Sequence, residues 1–516
     1  MKFELAATVF RVHPPMSVSN GRELLEALIH DCAQSSQDQL TIIGKHRKNL
    51  VLTTRGQKTF GSSGLHRFLD LRFTLLWPKS DSPGIEVCGG NCFAVNQDTQ
   101  TSSLVPISPS EVYMQFPEAS DWMGIVSDIS LSAHIQAISA WFRAAKRAGW
   151  SPVRMDLDRI PHQECFIRSG RGTQPLEEPF KSIILTRKPV YSPRQINLRV
   201  ISTTKDTRVT ESLQGAFHRW WKSLSISVRY AGIDQQPLVD PPEVGLLVIP
   251  DDCDIQESPW IDWLRSSEAK GSLFKIMRHS TLRSSEALTN VTFDLFMLAG
   301  GIPWTAVIGE EETTVLGLDA GHNRDQRWSR WVCAQIDTAI NSVTCNVVRT
   351  KLAEHIPVTA IERLLPKGRV AKELTIFRDG RFHGASRREI SSNGMIVSVA
   401  KHPNAVVYRK WGARALPAEF GDALRYPDGR VLLQTSSNTS NAKAWKLPVR
   451  LSVEQPNQVE RAVRLTTMLC RQPALGVYSQ PRLPVPIYWA DLVSKTTSAG
   501  WPKVVGRGLG LESIIP

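Results

Sequence analysis

From about residue 194 onward, short apolar runs and helix-patterned segments take turns along the chain. That alternation restricts the fold more than any other feature of the 516 residues. Residues 196–201 read as a strand, 208–223 as a helix and 225–230 as a second strand. Residues 244–249, Val-Gly-Leu-Leu-Val-Ile, contain no polar side chain and stop at Pro250, as suits a parallel strand buried on both faces. A helix over 259–270, a strand over 273–278 and a helix over 283–299 complete the series. The last helix runs into Gly300-Gly301, a common C-terminal stop. Strands alternating with helices predict a small doubly wound α/β domain.

A second α/β unit with a different order is expected over residues 305–516. An apolar strand at 314–318 leads into Asp319, and 328–336 and 343–349 alternate like hairpin partners. A strand at 373–377 ends in Arg378-Asp379-Gly380, further strands fall at 395–399, 405–408 and 431–435, and helices at 456–471 and 489–499. Three strands in succession with a carboxylate at the end of the first, then a strand ending in a second carboxylate, is the ribonuclease-H arrangement. Residues 1–190 read as mixed α+β. Their clearest element is a helix over 130–149, where Leu131, Ile135, Ile138, Phe142 and Ala145 share one face. The Pro- and charge-rich stretch 168–193 reads as a linker.

Four acids stand out in the second unit: Asp319, Glu354, Asp379 and Asp491. Phosphodiester hydrolysis with two divalent ions about 4 Å apart needs several carboxylates converging from separate elements. Mg2+ and Mn2+ take such hard oxygen ligands. Asp319 and Asp379 stand side by side if their strands are neighbours, and Asp491 brings a third oxygen donor from the late helix. Glu354 lies in the loop-like segment Lys351-Leu-Ala-Glu-His-Ile-Pro357. Each acid also has an ordinary reading. Asp319 and Asp379 precede turn-forming residues, much as Asp428 does in Tyr426-Pro-Asp-Gly429. Asp491 can serve a helix N-terminus, and Glu354 can be a solvated loop acid. The strand context favours a metal site made by Asp319, Asp379 and Asp491, with Glu354 as a fourth catalytic group.

Three segments give the chain a resemblance to prokaryotic Argonautes. Val315-Leu-Gly-Leu-Asp-Ala-Gly-His322 is similar to the first strand of the PIWI domain, and Leu374-Thr-Ile-Phe-Arg-Asp-Gly380 to the strand ending in Arg-Asp-Gly. Leu483-Pro-Val-Pro-Ile-Tyr-Trp-Ala-Asp-Leu-Val493 is similar to the Pro-x-Pro-x-Tyr-Tyr-Ala-x-Leu-Val motif. The region from Asn290 through Gly300-Gly301-Ile-Pro-Trp304 resembles the junction from MID into PIWI. The resemblance covers residues 194–516. It implies a Rossmann-like MID domain at 191–304 and an RNase H-like PIWI domain at 305–516, preceded by an N-terminal and linker-like region at 1–190 without PAZ. It also implies a guide nucleic acid, RNA or DNA, held at its 5′ end by MID. A complementary target strand, DNA favoured, would be held and cut by PIWI in defence against invading DNA. The Asp-Glu-Asp-Asp/His tetrad of the family carries over by position to Asp319, Glu354, Asp379 and Asp491. The Tyr or His followed by Lys that often binds the guide phosphate has no clean match at 259–265. Arg265, Lys270, Lys275 and Arg278 are the substitutes, their plainer reading being a solvated basic face. The alternative function is a catalytically inactive guide-binding module that senses target and activates an effector protein, as in many short prokaryotic members.

Charge agrees with a polyanionic partner. Lys and Arg number 62 against 49 Asp and Glu, a net +13. Lys443, Lys446, Arg461 and Arg464 are the candidates for the duplex backbone, and a second basic stretch runs over 366–388. No apolar run is long enough for a membrane span. With 41% hydrophobic residues the chain can bury real cores, and eight Cys over this length make no disulfide scaffold. Cys88 and Cys92 read as reduced thiols rather than a metal pair. A cytoplasmic protein is expected.

Overall fold

The apolar run Val244–Ile249 lies third in a parallel four-stranded sheet of order Ser225–Gly232, Gln195–Ser202, Val244–Ile249, Leu273–Arg278. In this computed structural model the chain divides into two compact units. One is Met1–His162 with Lys401–Arg450, the other Gln163–Ala400 with Leu451–Pro516. The structure describes residues 3–15, 21–37, 40–46, 49–60, 65–77, 83–96, 104–107, 130–162, 165–175, 188–202, 207–222, 224–233, 244–251, 262–263, 273–280, 284–307, 313–323, 327–337, 342–353, 356–364, 373–380, 394–401, 403–412, 414–436, 447–472 and 482–498.

In the second unit, helices Thr207–Trp220 and Ser285–Leu298 accompany the parallel sheet. The latter starts at Ser284, whose hydroxyl accepts the Ala287 N–H, an N-cap that satisfies an otherwise orphaned donor. Its apolar residues Val291, Phe293, Phe296 and Met297 join Leu198, Val200, Leu246 and Val248 in one core. There the Trp221 ring stacks on Phe296 at 4.0 Å and 12°, a contact worth about 1 kcal/mol beyond the area it buries. The helix expected at 259–270 lies outside the described residues except for Asp262 and Trp263. Residues 168–175, expected as linker, belong to a hairpin instead. Phe166–Ser169 pairs with Gly172–Pro175 and with Thr305–Ala306. Gly172, at φ +103°, makes the tight turn that polar composition alone disguised as linker.

The rest of this unit is a mixed sheet. Ser342–Lys351, Trp328–Asp337 and Thr313–Asn323 form an antiparallel meander, and Glu373–Asp379 then lies parallel to Thr313–Asn323, with Met395–Ala400 parallel beyond it. This is the RNase H-like order. The strand Thr313–Asn323 runs past Asp319, where a strand end was expected, and the late helix is Val485–Ser498, which puts Asp491 in its second turn rather than at its start.

The first unit is built on an antiparallel sheet of order Leu40–His46, Asn49–Phe60, Leu65–Leu76, Gly84–Asn96, Val9–His13, Ser151–Arg154. Helices Gly21–Ser35 and Leu131–Arg147 bury Leu28, Ile138 and Trp141 with Phe10, Ile85 and Val87 of its strands. Ser130 caps the second helix by accepting the Ala133 N–H at 3.3 Å. Residues 401–450 join this unit through paired strands and a buried charge. Glu4–Ala7 pairs with Val407–Trp411. Glu86, fully buried, accepts hydrogen bonds from the Tyr426 hydroxyl and Arg450 Nη1, each at 2.6 Å. Losing Arg450 would leave this buried carboxylate without its cation. Cys88 and Cys92 lie four residues apart on one strand, a separation of about 13 Å that no single ion spans. Every cysteine among the described residues is a free thiol.

Candidate functional site: a carboxylate trio under a helix

The register of two parallel strands brings the first two acids together. Leu318 pairs with Arg378, so Asp319 and Asp379 are the next residues along on neighbouring strands. The third acid arrives from above, and the segment Gly317-Leu318-Asp319-Ala320-Gly321 explains how. Side chains alternate along a strand, so Gly317, Asp319 and Gly321 share one face. The helix Val485–Ser498 lies on that face in direct backbone contact. A Cβ on Gly317 would sit 2.2 Å from the Pro486 carbonyl, and one on Gly321 would sit 2.4 Å from the Ser494 carbonyl oxygen. With no side chain on either flank of Asp319, the helix descends far enough for Asp491 to reach it. Ligand oxygens of Asp319, Asp379 and Asp491 all lie within 4.8 Å of one another.

Three carboxylates this close repel one another unless a cation shares them. Hard oxygen donors from three separate elements, on a half-buried site, fit a hard divalent ion. Beneath the trio, on the opposite sheet face, lies Arg378. It is 7% exposed and its guanidinium sits over the Trp331 ring at 5.8 Å. Burial pulls the Arg378 pKa down, while Asp319 and Asp379 push it up. Above the trio, burial raises the Tyr488 pKa, and Asp294 and Asp491 add to the shift. The Ala320 N–H donates to Asp319 Oδ1 at 2.8 Å, which helps hold that carboxylate.

Glu354 lies outside the described residues. The chain just before it is anchored. Ser329, fully buried, accepts the Ala353 N–H at 2.9 Å, and its oxygen lies 3.1 Å from the Ala353 carbonyl and 2.9 Å from His322 Nδ1. Sequence patterning passed over this serine, since nothing marks a hydroxyl that faces a chain 24 residues away.

The basic candidates are placed differently. Lys275 forms an ion pair at 2.8 Å with Asp294, a buried residue of the helix Ser285–Leu298. Arg278, three residues on and so on the other sheet face, donates to the Pro250 and Asp251 carbonyls. Arg265 and Lys270 lie outside the described residues, as do Lys443 and Lys446. Arg461 and Arg464 stand one turn apart on the helix Val459–Leu469, with Arg464 exposed.

No protein-family model matches this chain, and no curated protein does. Solved structures do. The chain superposes on Clostridium butyricum Argonaute bound to a guide DNA and a 19-mer target DNA with a TM-score of 0.69, at 10% identity, covering 94% of this chain and 87% of that one. Marinitoga piezophila Argonaute in complex with 5′ OH guide RNA gives 0.64, at 11% identity, over 92% and 86%. Drosophila Piwi gives 0.61, at 10% identity, over 96% and 86%. The chain has an Argonaute-like fold, with a Rossmann-like MID part and an RNase H-like PIWI part.

Proposed function

We propose that the chain binds a guide nucleic acid and cuts a complementary strand, with DNA the favoured target, in defence against invading DNA within the cytoplasm. The observation that carries this reading is the convergence of Asp319, Asp379 and Asp491 on an RNase H-like sheet. The fold agrees, since its solved neighbours hold guide DNA with target DNA, or guide RNA.

Asp319, Asp379 and Asp491 would hold Mg2+ or Mn2+, with Glu354 as the fourth acid. The metal, when bound, supplies Lewis acidity for two-metal hydrolysis of a phosphodiester with water as nucleophile. The chain's own part is positional. The parallel register aligns Asp319 with Asp379, and the bare backbone at Gly317 and Gly321 seats Asp491 against them. Arg378 offsets part of the negative charge of the trio from beneath. Arg265, Lys270, Lys275 and Arg278 are proposed for the guide 5′ end, and Lys443, Lys446, Arg461 and Arg464 for the duplex backbone. The test is cleavage of a guide-matched strand by purified protein with Mn2+, alongside Asp379→Ala. Cutting that persists in the variant would remove the assignment. Guide-dependent capture without cutting by the wild-type protein would turn the reading toward a silent module that signals to an effector.

A further inference from the structure

The carboxylate face of the sheet carries a second cluster that the reading above leaves unused. Three strands align in rows. Asp319 faces Val332, which faces Val347; Gly321 faces Arg330, which faces Arg349; Trp328 faces Lys351 one row further. Residues two apart share a face, so Trp328, Arg330, Arg349 and Lys351 form a block beside Asp319. The Trp328 ring, 5% exposed, packs against both guanidiniums. Arg330 lies 5.0 Å and Arg349 4.7 Å from its centroid.

Two like charges directly opposite across a ladder destabilise a sheet. Among the described residues neither arginine has an ion-pair partner, and Arg330 Nη1 is buried without a hydrogen-bond partner. Burial lowers the Arg330 pKa, and Arg349 lowers it further. The helix Val485–Ser498 packs over Val332, Ala334 and Ile336, whereas Arg349 and Lys351 remain exposed. A guanidinium held over an indole ring keeps N–H groups that can bond an oxyanion. Arg330 is the diagonal neighbour of Asp319, about 7–8 Å away, a separation on the scale of neighbouring phosphates in one strand.

We infer that Arg330 and Arg349, fixed by Trp328 and joined by Lys351, grip the phosphodiester backbone of a nucleic-acid strand beside the carboxylate trio. This rests on the nucleic-acid reading of that trio. Its chemistry is that of a backbone contact: it sets where a strand lies and carries no base preference.

The test measures binding of a labelled 20-nucleotide single-stranded DNA to the guide-free protein across a salt series. The R330Q/R349Q variant should bind more weakly, and the slope of log affinity against log salt should fall by roughly 1 to 1.5, at about 0.7 per phosphate contact on a single strand. R349Q alone alters an exposed side chain and should give about half that change, so it decides the matter if the double variant fails to fold. R219Q, an exposed arginine on the helix Thr207–Trp220, should leave the slope unchanged. An unaltered slope in R330Q/R349Q, an equal fall in R219Q, or no binding by the wild-type protein would each overturn the proposal. A separate arm loads a guide and compares complementary with non-complementary strands. Failure to discriminate there sinks the guided reading, while the guide-free series still decides the arginines.

Discussion

Two sites within one unit treat their charged residues in opposite ways. On the RNase H-like sheet, three acids crowd their ligand oxygens within 4.8 Å of one another, with Arg378 on the opposite sheet face. On the parallel sheet, Lys275 is closed off by Asp294 and Arg278 by the Pro250 and Asp251 carbonyls. The first arrangement makes sense with something added. The second has partners within the chain, which a guide phosphate would have to displace. Like charges that the fold gathers at one point therefore say more about function than a charge set against an opposite partner.

The sharpest way to break this comparison is to remove one of the gathered acids. Asp379→Ala should lower Mn2+-dependent cutting of a guide-matched strand by at least about a thousandfold, measured as single-turnover rates. Without metal, Asp319→Asn should melt at or above the wild-type temperature, because one member of a repelling trio is neutralised. Saturating Mn2+ should stabilise the wild type by about 3 kcal/mol at a hundred times its dissociation constant, and this gain should be largely lost in Asp319→Asn. Calorimetry with and without the ion reads both effects. Gly321→Ala places a Cβ against the Ser494 carbonyl and should cost about 3 kcal/mol by overpacking, with metal-induced stabilisation weakened as Asp491 is pushed away.

Lys275→Met tests the other side. If Asp294 is the true partner of Lys275, the change leaves a buried carboxylate unpaired and should cost about 3 kcal/mol in urea unfolding. A variant that keeps its stability and loses guide affinity would make Lys275 a guide ligand and erase the contrast.

A last effect, an acid limb, belongs to neither site and appears only as the pH is lowered. In the first unit, buried His134 accepts the Gly89 N–H at Nδ1, and its pKa falls from 6.5 to about 4, first through burial and then through Arg72. The folded chain thus binds fewer protons than the unfolded one. The stability this brings is full above pH 6.5 and drains away as pH falls toward 4, up to about 3 kcal/mol. His134→Leu should flatten that limb of the stability–pH curve.

Much of this was legible in the residues. The run Val244–Ile249 announced a doubly buried parallel strand, and the meander followed from alternation in residues 328–336 and 343–349. The pairing of Asp319 with Asp379 needed only adjacent strands. Asp491 is marked by its motif, but its place in the second turn of the helix is not, since the helix begins at Val485, between Pro484 and Pro486. Proline in a first turn gives up no hydrogen bond that the helix would have made. The hairpin at Phe166–Pro175 hid among polar residues because its pairing partner, Thr305–Ala306, lies far along the chain. The role of Gly317 and Gly321 is visible only when one asks what a missing side chain admits.

That absence has a consequence for how such a site persists. Where a helix rests on bare backbone, the distance between Asp491 and Asp319 is set by peptide groups, which every sequence possesses. Elsewhere in a core, packing depends on side-chain shapes that must change together. Here the surroundings can drift while two positions simply stay empty of a side chain. A chain of this fold can in this way hold three oxygens aimed at one point while nearly every side chain around them is exchanged.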